Sequence, residues 1–580
     1  MLKAMKKYIV IIVTIITTLA FQACDPDFLN RTPLDAVSTP EFFKTPQELN
    51  TYMNTFYSAT NFPKYANHGS DFNSDIQTAG SPDQRLQGTR TIATSGTIGF
   101  ADVRRVNYFF DHYKVVEENH ALEEYQQYLG EAYFFRGLTY FDLLQSYGDI
   151  QIITTELGTS SPELYKPRDP RNEVADFIIG QLDSAAMYLT ADKTSGAGRI
   201  NRWIALLIQS RVALYEGTWE KYHAGTDFGV ANANPDKYLE KAAAAAQEII
   251  NSGVYEIYST GSPETDYKDL FALQDYSSNS EVMFWREYDN DLTRGNTSFT
   301  NDRNFRMETP SNKTITKALA DAYLCKDGRP IAGNSLFKGY NSLTEEAENR
   351  DPRFYQTIAT PDDVWKIHED GRVEYWSGAY NRLNSSADYN APTGYIIQKG
   401  YNPNMVYHVQ QFEESPAIIF RYAEVLLNYV EAKAELGVIN QGDIDLAIKP
   451  LRDRVGMPNL DMGAIANDPN WDFPDLSPLI NEIRRERLVE LAAEGFRWND
   501  IARWAAADEL IVGKRPKGFL ASQIEENPFP VDENGFLDPL KNALPTGWGF
   551  KLNRDYLNSI PVSEIVLSEG NLTQNPGWEQ

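Results

Sequence analysis

The segment LGEAYFFRGLTYFDLLQSYGD, residues 129–149, carries the clearest structural pattern in the chain. Apolar and aromatic side chains recur along it every three or four residues, which is the spacing of one helix face. The residues on this face are Leu129, Tyr133, Tyr140, Leu143, Leu144 and Tyr147. Gly148 follows and is a typical helix-ending residue. The segment therefore predicts a long amphipathic helix that buries an aromatic face.

Five other segments have the same helical periodicity. They are residues 172–190, 200–219, 235–253, 418–437 and 477–495. Asn172 is suited to cap the first of them, and Pro235 and Gly253 suit the start and end of the third. Their faces carry small and aromatic residues, as stacked helical hairpins require, although no strict repeat length is visible. The chain is therefore predicted to be mainly α-helical.

The helical pattern fades between about residues 255 and 415 and again between about 511 and 556. Gly, Pro, Asn, Asp and Ser are frequent there, and short apolar runs such as EVMFW (residues 281–285) suit strands. The many Trp and Tyr residues in these regions argue against disorder. We expect a helical scaffold that carries large ordered loops and a few short strands.

The chain is strongly acidic, with a formal net charge of −27. Such a charge disfavours binding to nucleic acid or to an anionic membrane surface. The two cysteines, Cys24 and Cys325, are about 300 residues apart, which excludes a disulfide framework and a cysteine-based zinc site.

The N-terminus has the layout of a secretory signal. Three lysines precede an apolar run of 14 residues, YIVIIVTIITTLAF, which is shorter than the roughly 20 residues that a membrane span needs. The sequence Phe21-Gln22-Ala23-Cys24 then resembles a bacterial lipobox, although Phe21 replaces the usual Leu. We expect residues 1–23 to be removed and Cys24 to carry lipid chains such as palmitate, which would anchor the protein. An uncleaved helical anchor and ordinary cleavage without lipid are the alternatives.

Catalytic and metal-binding motifs are not evident. The chain has no Walker A loop, no HExxH motif, no EF-hand loop and no GxSxG elbow, and its six histidines are not spaced as zinc ligands. We therefore expect no cofactor and no metal site. A glycoside hydrolase needs only two suitably placed carboxylates, so motif absence leaves that activity open.

Aromatic and polar residues in the irregular regions are the candidate ligand contacts. Flat rings stack on the C–H faces of sugars, while carboxylate, amide and guanidinium groups bind hydroxyls. The candidates are Phe72, Asp75, Gln84, Arg85, Trp285, Tyr288, Trp365, Tyr375, Trp376, Tyr380 and Tyr395. Each such ring alone is more often part of a core.

Several segments resemble the signatures of the SusD-like (RagB/SusD) family, in the family's order and along the whole chain. They are residues 30–45, LGEAYFFRGLTYFDLLQSYGDI (129–150), ALADAYLCKDGRPI (318–331), NRDPRFYQTI (349–358), IIFRYAEVLLNYVEAKAELG (418–437), INEIRRERLVELAAEGFRWNDIARW (480–504) and YLNSIPVSEIVLSEGNLTQNPGW (556–578). Gly137 stands where the family usually has Ala.

The resemblance implies a mostly helical fold of four tetratricopeptide-like helix pairs with a loop-rich face. It implies a signal peptide at 1–23, an N-terminal region at 24–225 and a C-terminal region at 226–580, within one compact body. Of the matching signature residues, Tyr140 and Trp504 are expected to pack helices, and Arg136, Arg421, Glu424 and Glu494 to form ion pairs.

The family resemblance also implies a function. Its members are outer-membrane lipoproteins that face outward, capture glycans or sometimes peptides without cleaving them, and sit on a SusC-type TonB-dependent transporter. We therefore expect a glycan-binding lipoprotein. A glycoside hydrolase, a peptide-capturing member of the family, and a scaffold whose sole ligand is the transporter are the alternatives.

Overall fold

The computed structural model describes residues 42–57, 62, 71, 74–193, 198–289, 314–376, 391–409, 413–524 and 527–578. The leader, Cys24, Phe72 and Tyr380 lie outside these residues. Among the residues described, no helix combines the length and apolar character that crossing a bilayer requires.

Helices make up most of the regular structure. In chain order they are α1 (Pro46–Asn54), α2 (Phe100–His112), α3 (Lys114–Asn119), α4 (Leu122–Tyr147), α5 (Arg171–Tyr188), α6 (Arg202–Tyr222), α7 (Pro235–Ser252), α8 (Asp266–Ala272), α9 (Lys317–Ala322), α10 (Leu343–Ala347), α11 (Arg353–Thr357), α12 (Tyr422–Glu435), α13 (Gln441–Ala447), α14 (Lys449–Arg454), α15 (Pro478–Glu490), α16 (Arg497–Arg503), α17 (Ala507–Leu510) and α18 (Val562–Leu567). The predicted mainly helical fold is confirmed.

The strands are short and pair in twos. They are β1 (Gln77–Thr78), β2 (Val282–Arg286), β3 (Thr314–Ile315), β4 (Val364–Ile367), β5 (Val373–Tyr375) and β6 (Ala417–Arg421). The antiparallel pairs are β1 with β3, β2 with β6, and β4 with β5. The described strands thus form small ribbons between the helices, as expected of loop-rich regions with short apolar runs.

Helix α4 contains the stretch that opened the sequence analysis. It ends at Tyr147, and Gly148 adopts φ 72° directly after it, as the sequence predicts. Tyr140 is fully buried, and its hydroxyl donates a hydrogen bond to the Ile153 carbonyl (3.0 Å). The helix starts at Leu122, seven residues before the quoted stretch, where the Ala121 amide donates to the Glu124 carboxylate (3.0 Å).

Two sequence predictions about helix boundaries are wrong. Asn172 does not cap α5, which begins one residue earlier; the Arg171 amide donates instead to Asp149 (2.9 Å), a side chain from the preceding loop. Residues 418–421 belong to strand β6 and not to a helix. This segment begins with the β-branched pair Ile418-Ile419, which suits an extended backbone that pairs with β2.

The long helices stack in sequence: α4 packs on α5, α5 on α6, α6 on α7, α7 on α12, and α12 on α15. This is the stacked, tetratricopeptide-like arrangement that the sequence predicts. Gly137 permits the close approach of α4 and α5, because a Cβ atom there would meet Leu182 at 3.2 Å.

The proposed regional boundary at residues 225 and 226 lies in the turn between α6 and α7, which pack against each other. A second core lies under the irregular region. It includes Leu319, Phe354, Tyr395 and Leu488, so helix α15 packs against the loops through Leu488. The division into two regions stays a prediction.

The signature residues have packing and pairing roles in this fold. The Trp504 indole donates to Glu431 (2.9 Å), and Arg211 donates to Glu424 (2.6 Å). Arg136 differs from the expectation, because its guanidinium donates to the Gln181 amide oxygen (2.8 Å) and lies over the ring of Phe110. It therefore has a neutral hydrogen-bond partner and an aromatic one in the place of a carboxylate.

A buried carboxylate, Glu490, binds three arginines at the C-terminal end of α15. Arg421 and Arg454 each donate to it at 2.7 Å, and Arg353 donates at 3.1 Å. All four side chains are at most 2% exposed. Burial alone would raise the pKa of Glu490, but the three guanidinium groups outweigh burial and hold that pKa well below its usual range.

Replacing Glu490 by Gln should destabilise the protein by about 3–5 kcal/mol, because three buried guanidinium groups would lose a shared counter-charge. Urea unfolding would measure the loss. The matched control is Glu240→Gln on the exposed face of α7, for which a change within about 0.5 kcal/mol is expected.

Since the folded pKa of Glu490 lies below the unfolded value of about 4.3, the stability that Glu490 contributes is complete above that pH and declines below it. The wild type should therefore lose stability more steeply below that pH than Glu490→Gln. Equal unfolding midpoints for Glu490→Gln and Glu240→Gln would contradict this role.

Candidate functional site

Strands β4 and β5 form a hairpin in the irregular region. Their register pairs Val364 with Tyr375 and Ile367 with Val373. The turn closes through a hydrogen bond from the His368 amide to the Arg372 carbonyl (2.9 Å), and Gly371 supplies the left-handed backbone (φ 81°) that the turn needs. A parallel bridge from Ile367 to Asn404 brings the 3₁₀ turn Met405–Tyr407 beside the hairpin.

Three aromatic rings pack under the hairpin. Trp365 and Trp376 have ring centroids 4.4 Å apart, and Trp365 stacks on Tyr401 at 4.4 Å with a 15° angle between planes. All three are buried, and the Tyr401 hydroxyl donates to the Trp365 carbonyl (2.8 Å). These rings hold the hairpin against the second core.

Apolar and aromatic side chains above these rings are open to solvent. Tyr375 is 61% exposed. The other exposed members of this hairpin surface are Ile367, Val373, Val406, Tyr407 and Val409. Exposed apolar residues on neighbouring segments favour a binding surface, whereas scattered ones would need no explanation.

Charged groups lie beside the hairpin surface. The Glu374 carboxylate pairs with Arg372, and His368 Nε2 lies 2.9 Å from it. Hydrogen bonds from Arg372 and then His368 lower the pKa of Glu374. The surface thus combines an exposed phenol ring with hydrogen-bonding groups, which is the chemistry that sugar recognition uses.

The predicted residues Trp285 and Tyr288 lie elsewhere and are buried. Trp285 is in β2, where its ring packs edge-on against Tyr276 with centroids 5.6 Å apart. Tyr288 packs against Ala417, and the Arg286 guanidinium lies over its ring at 5.5 Å.

Tyr395 is fully buried in the second core. Its hydroxyl donates to the Glu346 carboxylate (2.9 Å), and its ring packs edge-on against Phe519. Burial raises the pKa of Glu346 to about 7, so near neutral pH this carboxyl can also be protonated. Within the described residues, this tyrosine is a packing residue.

The polar candidates near the N-terminus contact the C-terminal half of the chain. Arg497 donates to both oxygens of Asp75, at 2.8 and 2.7 Å. The Arg85 guanidinium lies over the Trp498 ring and donates to Asn558 (2.9 Å). Gln84 is exposed on the same loop.

Of the predicted ligand contacts, the structure thus brings together Trp365, Tyr375 and Trp376, and places the others apart. Phe72 and Tyr380 lie outside the described residues. Sequence reasoning missed Tyr401 and Tyr407, which reach the hairpin through a bridge between distant segments and carry no local signal. Contact of any of these residues with a ligand stays a prediction.

The described residues contain no cluster of three or more His, Cys, Asp or Glu side chains placed to hold a metal ion.

Comparisons with known proteins identify the fold and the family together. The model of the SusD family matches residues 272–578, and a model described as starch-binding and associating with the outer membrane matches residues 27–214. The chain belongs to the SusD family.

Relatives and solved structures agree with this assignment. SusD-like protein P2 of Formosa agariphila is 24% identical over 99% of this chain and 100% of its own length. SusD-like protein P38 of the same species is 25% identical over 66% of this chain and 68% of its own. A crystal structure of a SusD-like protein from Bacteroides fragilis covers 94% of this chain and 100% of that one, with a TM-score of 0.69 and 23% identity. A laminarin-binding SusD-like protein has a TM-score of 0.58 and 19% identity over 92% of this chain and 100% of that chain.

The contrast between buried and exposed rings predicts a large loss of stability for one variant and almost none for the other. Trp365→Ala should cost about 3–5 kcal/mol, because it leaves a cavity beside Trp376 and Tyr401. Tyr375→Ala should change the free energy of unfolding by less than about 0.5 kcal/mol, because the ring is mostly in solvent. Denaturant unfolding of the two variants beside the wild type measures both. A loss for Tyr375→Ala as large as that for Trp365→Ala would mean that the hairpin surface is covered in solution.

Proposed function

We propose that this protein captures glycans at the cell surface through the hairpin surface and passes them uncleaved to a SusC-type TonB-dependent transporter. Family membership supports the general activity, since its matched models and structural neighbours include starch-binding and laminarin-binding proteins. The observation that carries the proposal in this chain is the exposed ring of Tyr375 above the packed pair Trp365 and Trp376.

The packed rings beneath Tyr375 support binding by preorganisation. A platform that is already ordered loses little conformational entropy when a sugar docks on it. Tyr375 and Tyr407 then offer ring faces for stacking. Arg372, His368 and Glu374 offer hydrogen-bond donors and acceptors. This composition suits a neutral, hydroxyl-rich ligand.

The charge state of Glu374 suits binding of hydroxyl groups. A glycosidase needs one carboxyl group with a raised pKa that can protonate the leaving oxygen. The Arg372 and His368 partners lower the pKa of Glu374, which keeps it ionised. Glu374 is therefore suited to accept hydrogen bonds from sugar hydroxyls and poorly suited to act as a general acid.

The anchor and the transporter are proposed from the sequence. A lipid on Cys24 would hold a chain of net charge −27 at a membrane without basic residues. The lipobox-like sequence and the family resemblance support an outward-facing lipoprotein of the outer membrane. The transporter partner rests on that resemblance alone.

Retardation in native gels cast with polysaccharides would test capture. We expect the detergent-extracted full chain to be retarded by at least one glycan of a panel that includes starch and laminarin, with no new reducing ends. Tyr375→Ala should weaken that retardation about fivefold to tenfold, because a stacked ring contributes on the order of 1 kcal/mol. Tyr165→Ala, which removes a 40% exposed tyrosine remote in sequence from the hairpin, is the matched control.

Other outcomes would redirect the proposal. New reducing ends would show a hydrolase. Retardation that is equal in the wild type and Tyr375→Ala would move the site away from the hairpin surface. Binding of peptides in the absence of any glycan response would favour the peptide-capturing alternative.

Changing Cys24 to Ala in the full chain tests the anchor. The variant should leave the outer-membrane fraction and remain soluble or unprocessed, because no lipid can be attached. Membrane fractionation followed by mass spectrometry of the N-terminus would measure this. Cys325→Ala, at the other cysteine, is the control and should fractionate like the wild type. If Cys24→Ala also stays in the outer membrane, lipid at Cys24 is not the anchor.

A further inference from the structure

A cavity lies between helix α9, the loop at residues 331–340 and helix α15. Its volume is about 630 Å³, within the roughly 300–1,000 Å³ that small-molecule sites occupy. None of its lining residues belongs to the hairpin surface. The cavity is therefore a separate place on the molecule.

Aromatic rings form much of the wall. Tyr340 packs edge-on against Phe337 and Phe536, with centroids 5.0 and 5.1 Å away. Trp471 lines the cavity and is half-buried, with the guanidinium of Arg485 over its ring at 4.8 Å. A flat indole at the edge of a cavity offers a stacking face to a ring-shaped ligand.

The charged groups of the wall are mostly paired with one another. Lys317 pairs with Asp321 and donates to the Tyr340 hydroxyl (3.1 Å). Arg485 pairs with Asp468. Because these pairs neutralise one another, the wall favours a neutral ligand that both donates and accepts hydrogen bonds.

Two polar groups in the wall lack partners among the residues that the structure describes. Asp472 lines the cavity, is open to solvent, and forms no hydrogen bond or ion pair with the residues that the structure describes. Arg484 is 3% exposed and stacks on the buried Phe473 ring, and its Nε–H has no hydrogen-bond partner. An accessible carboxylate that can accept a hydrogen bond, next to a buried N–H that lacks a partner, favours a ligand with hydroxyl groups.

The loop that carries Trp471 and Asp472 is fixed in place. The Asn481 side chain accepts a hydrogen bond from the Phe473 amide (3.1 Å) and donates to the Phe473 carbonyl (2.8 Å). Asn481 lies on α15, the helix that also carries Glu490. The cavity is thus built on a helix that buried ion pairs hold in place.

We propose that this cavity binds one neutral pyranose unit, which stacks on Trp471 and donates a hydroxyl hydrogen bond to Asp472. The inference rests on the proposed glycan capture and adds a second subsite, which would hold a chain end or a side branch while the hairpin surface holds the chain. An amino sugar or another cation would pair with Asp472 as well, so the test includes one.

Saturation-transfer NMR on the detergent-extracted full chain tests the pocket with small probes. The probes are the methyl glycosides of glucose, galactose, mannose, xylose and N-acetylglucosamine, together with the charged glucosamine. Each is added at concentrations up to about 10 mM, which is about ten times a Kd of about 1 mM. At least one neutral glycoside should give a signal. Trp471→Ala should abolish the part of the signal that persists in Tyr375→Ala, and Asp472→Asn should weaken that binding about fivefold or more through loss of a charge-assisted hydrogen bond.

Two controls locate the effect. Asp475→Asn changes an exposed carboxylate on the same loop that does not line the cavity, and it should leave the signal intact. Tyr375→Ala removes the ring of the hairpin surface and should leave the signal that comes from the cavity. Asp472→Asn is nearly isosteric, so it tests the pocket even if Trp471→Ala fails to fold.

Three results would overturn the pocket. They are signals unchanged in both pocket variants, no signal from any neutral glycoside, or a response to glucosamine alone. Polysaccharide retardation that persists beside such a result would leave glycan capture standing and remove only this subsite. Absence of retardation by every polysaccharide would instead count against the proposed function itself.

Discussion

The structure depends on one buried carboxylate that must remain ionised. Glu490 forms ion pairs with Arg353 from α11, Arg421 from β6 and Arg454 from α14. These three segments are distant from one another in sequence. Removing four charges from water is costly, and only close mutual pairing offsets that cost. The geometry must therefore be nearly complete before any part of it becomes favourable, which makes the packing of these segments mutually dependent.

This network is also what connects the two kinds of structure in the protein. Arg421 donates to Glu281 just before β2 and to Glu494 just after α15, and Lys399 from the loops donates to Glu494 (2.6 Å). The loops thus fold against the helical stack through these ion pairs and also through the second core, to which α15 contributes Leu488.

The hairpin surface and the cavity beside α15 have a common design. Each has a partly exposed aromatic ring next to residues that are already packed, and each has hydrogen-bond donors and acceptors nearby. Neither carries a strong net charge, in contrast to the chain as a whole. Both features favour neutral, hydroxyl-rich ligands and low-cost, reversible capture.

Sequence patterns were informative wherever structure is local. The helical periodicity of residues 129–149 and the Pro and Gly at the ends of α7 predicted those helices, because such signals act within one turn. They failed at Asn172, where Asp149 from another segment satisfies the Arg171 amide at the helix start. They also failed at residues 418–421, where pairing with β2 decides the conformation.

The sequence by itself therefore determined the helical class, the family resemblance and the aromatic character of the loops. It could not tell which aromatic residues are buried: Tyr395 and Tyr375 look alike in a list, yet one is fully enclosed and the other is 61% exposed. It also gave no sign that Trp471, Asp472 and Lys317 line one cavity. Only the tertiary structure decided these points, because exposure and juxtaposition depend on contacts between segments more than a hundred residues apart.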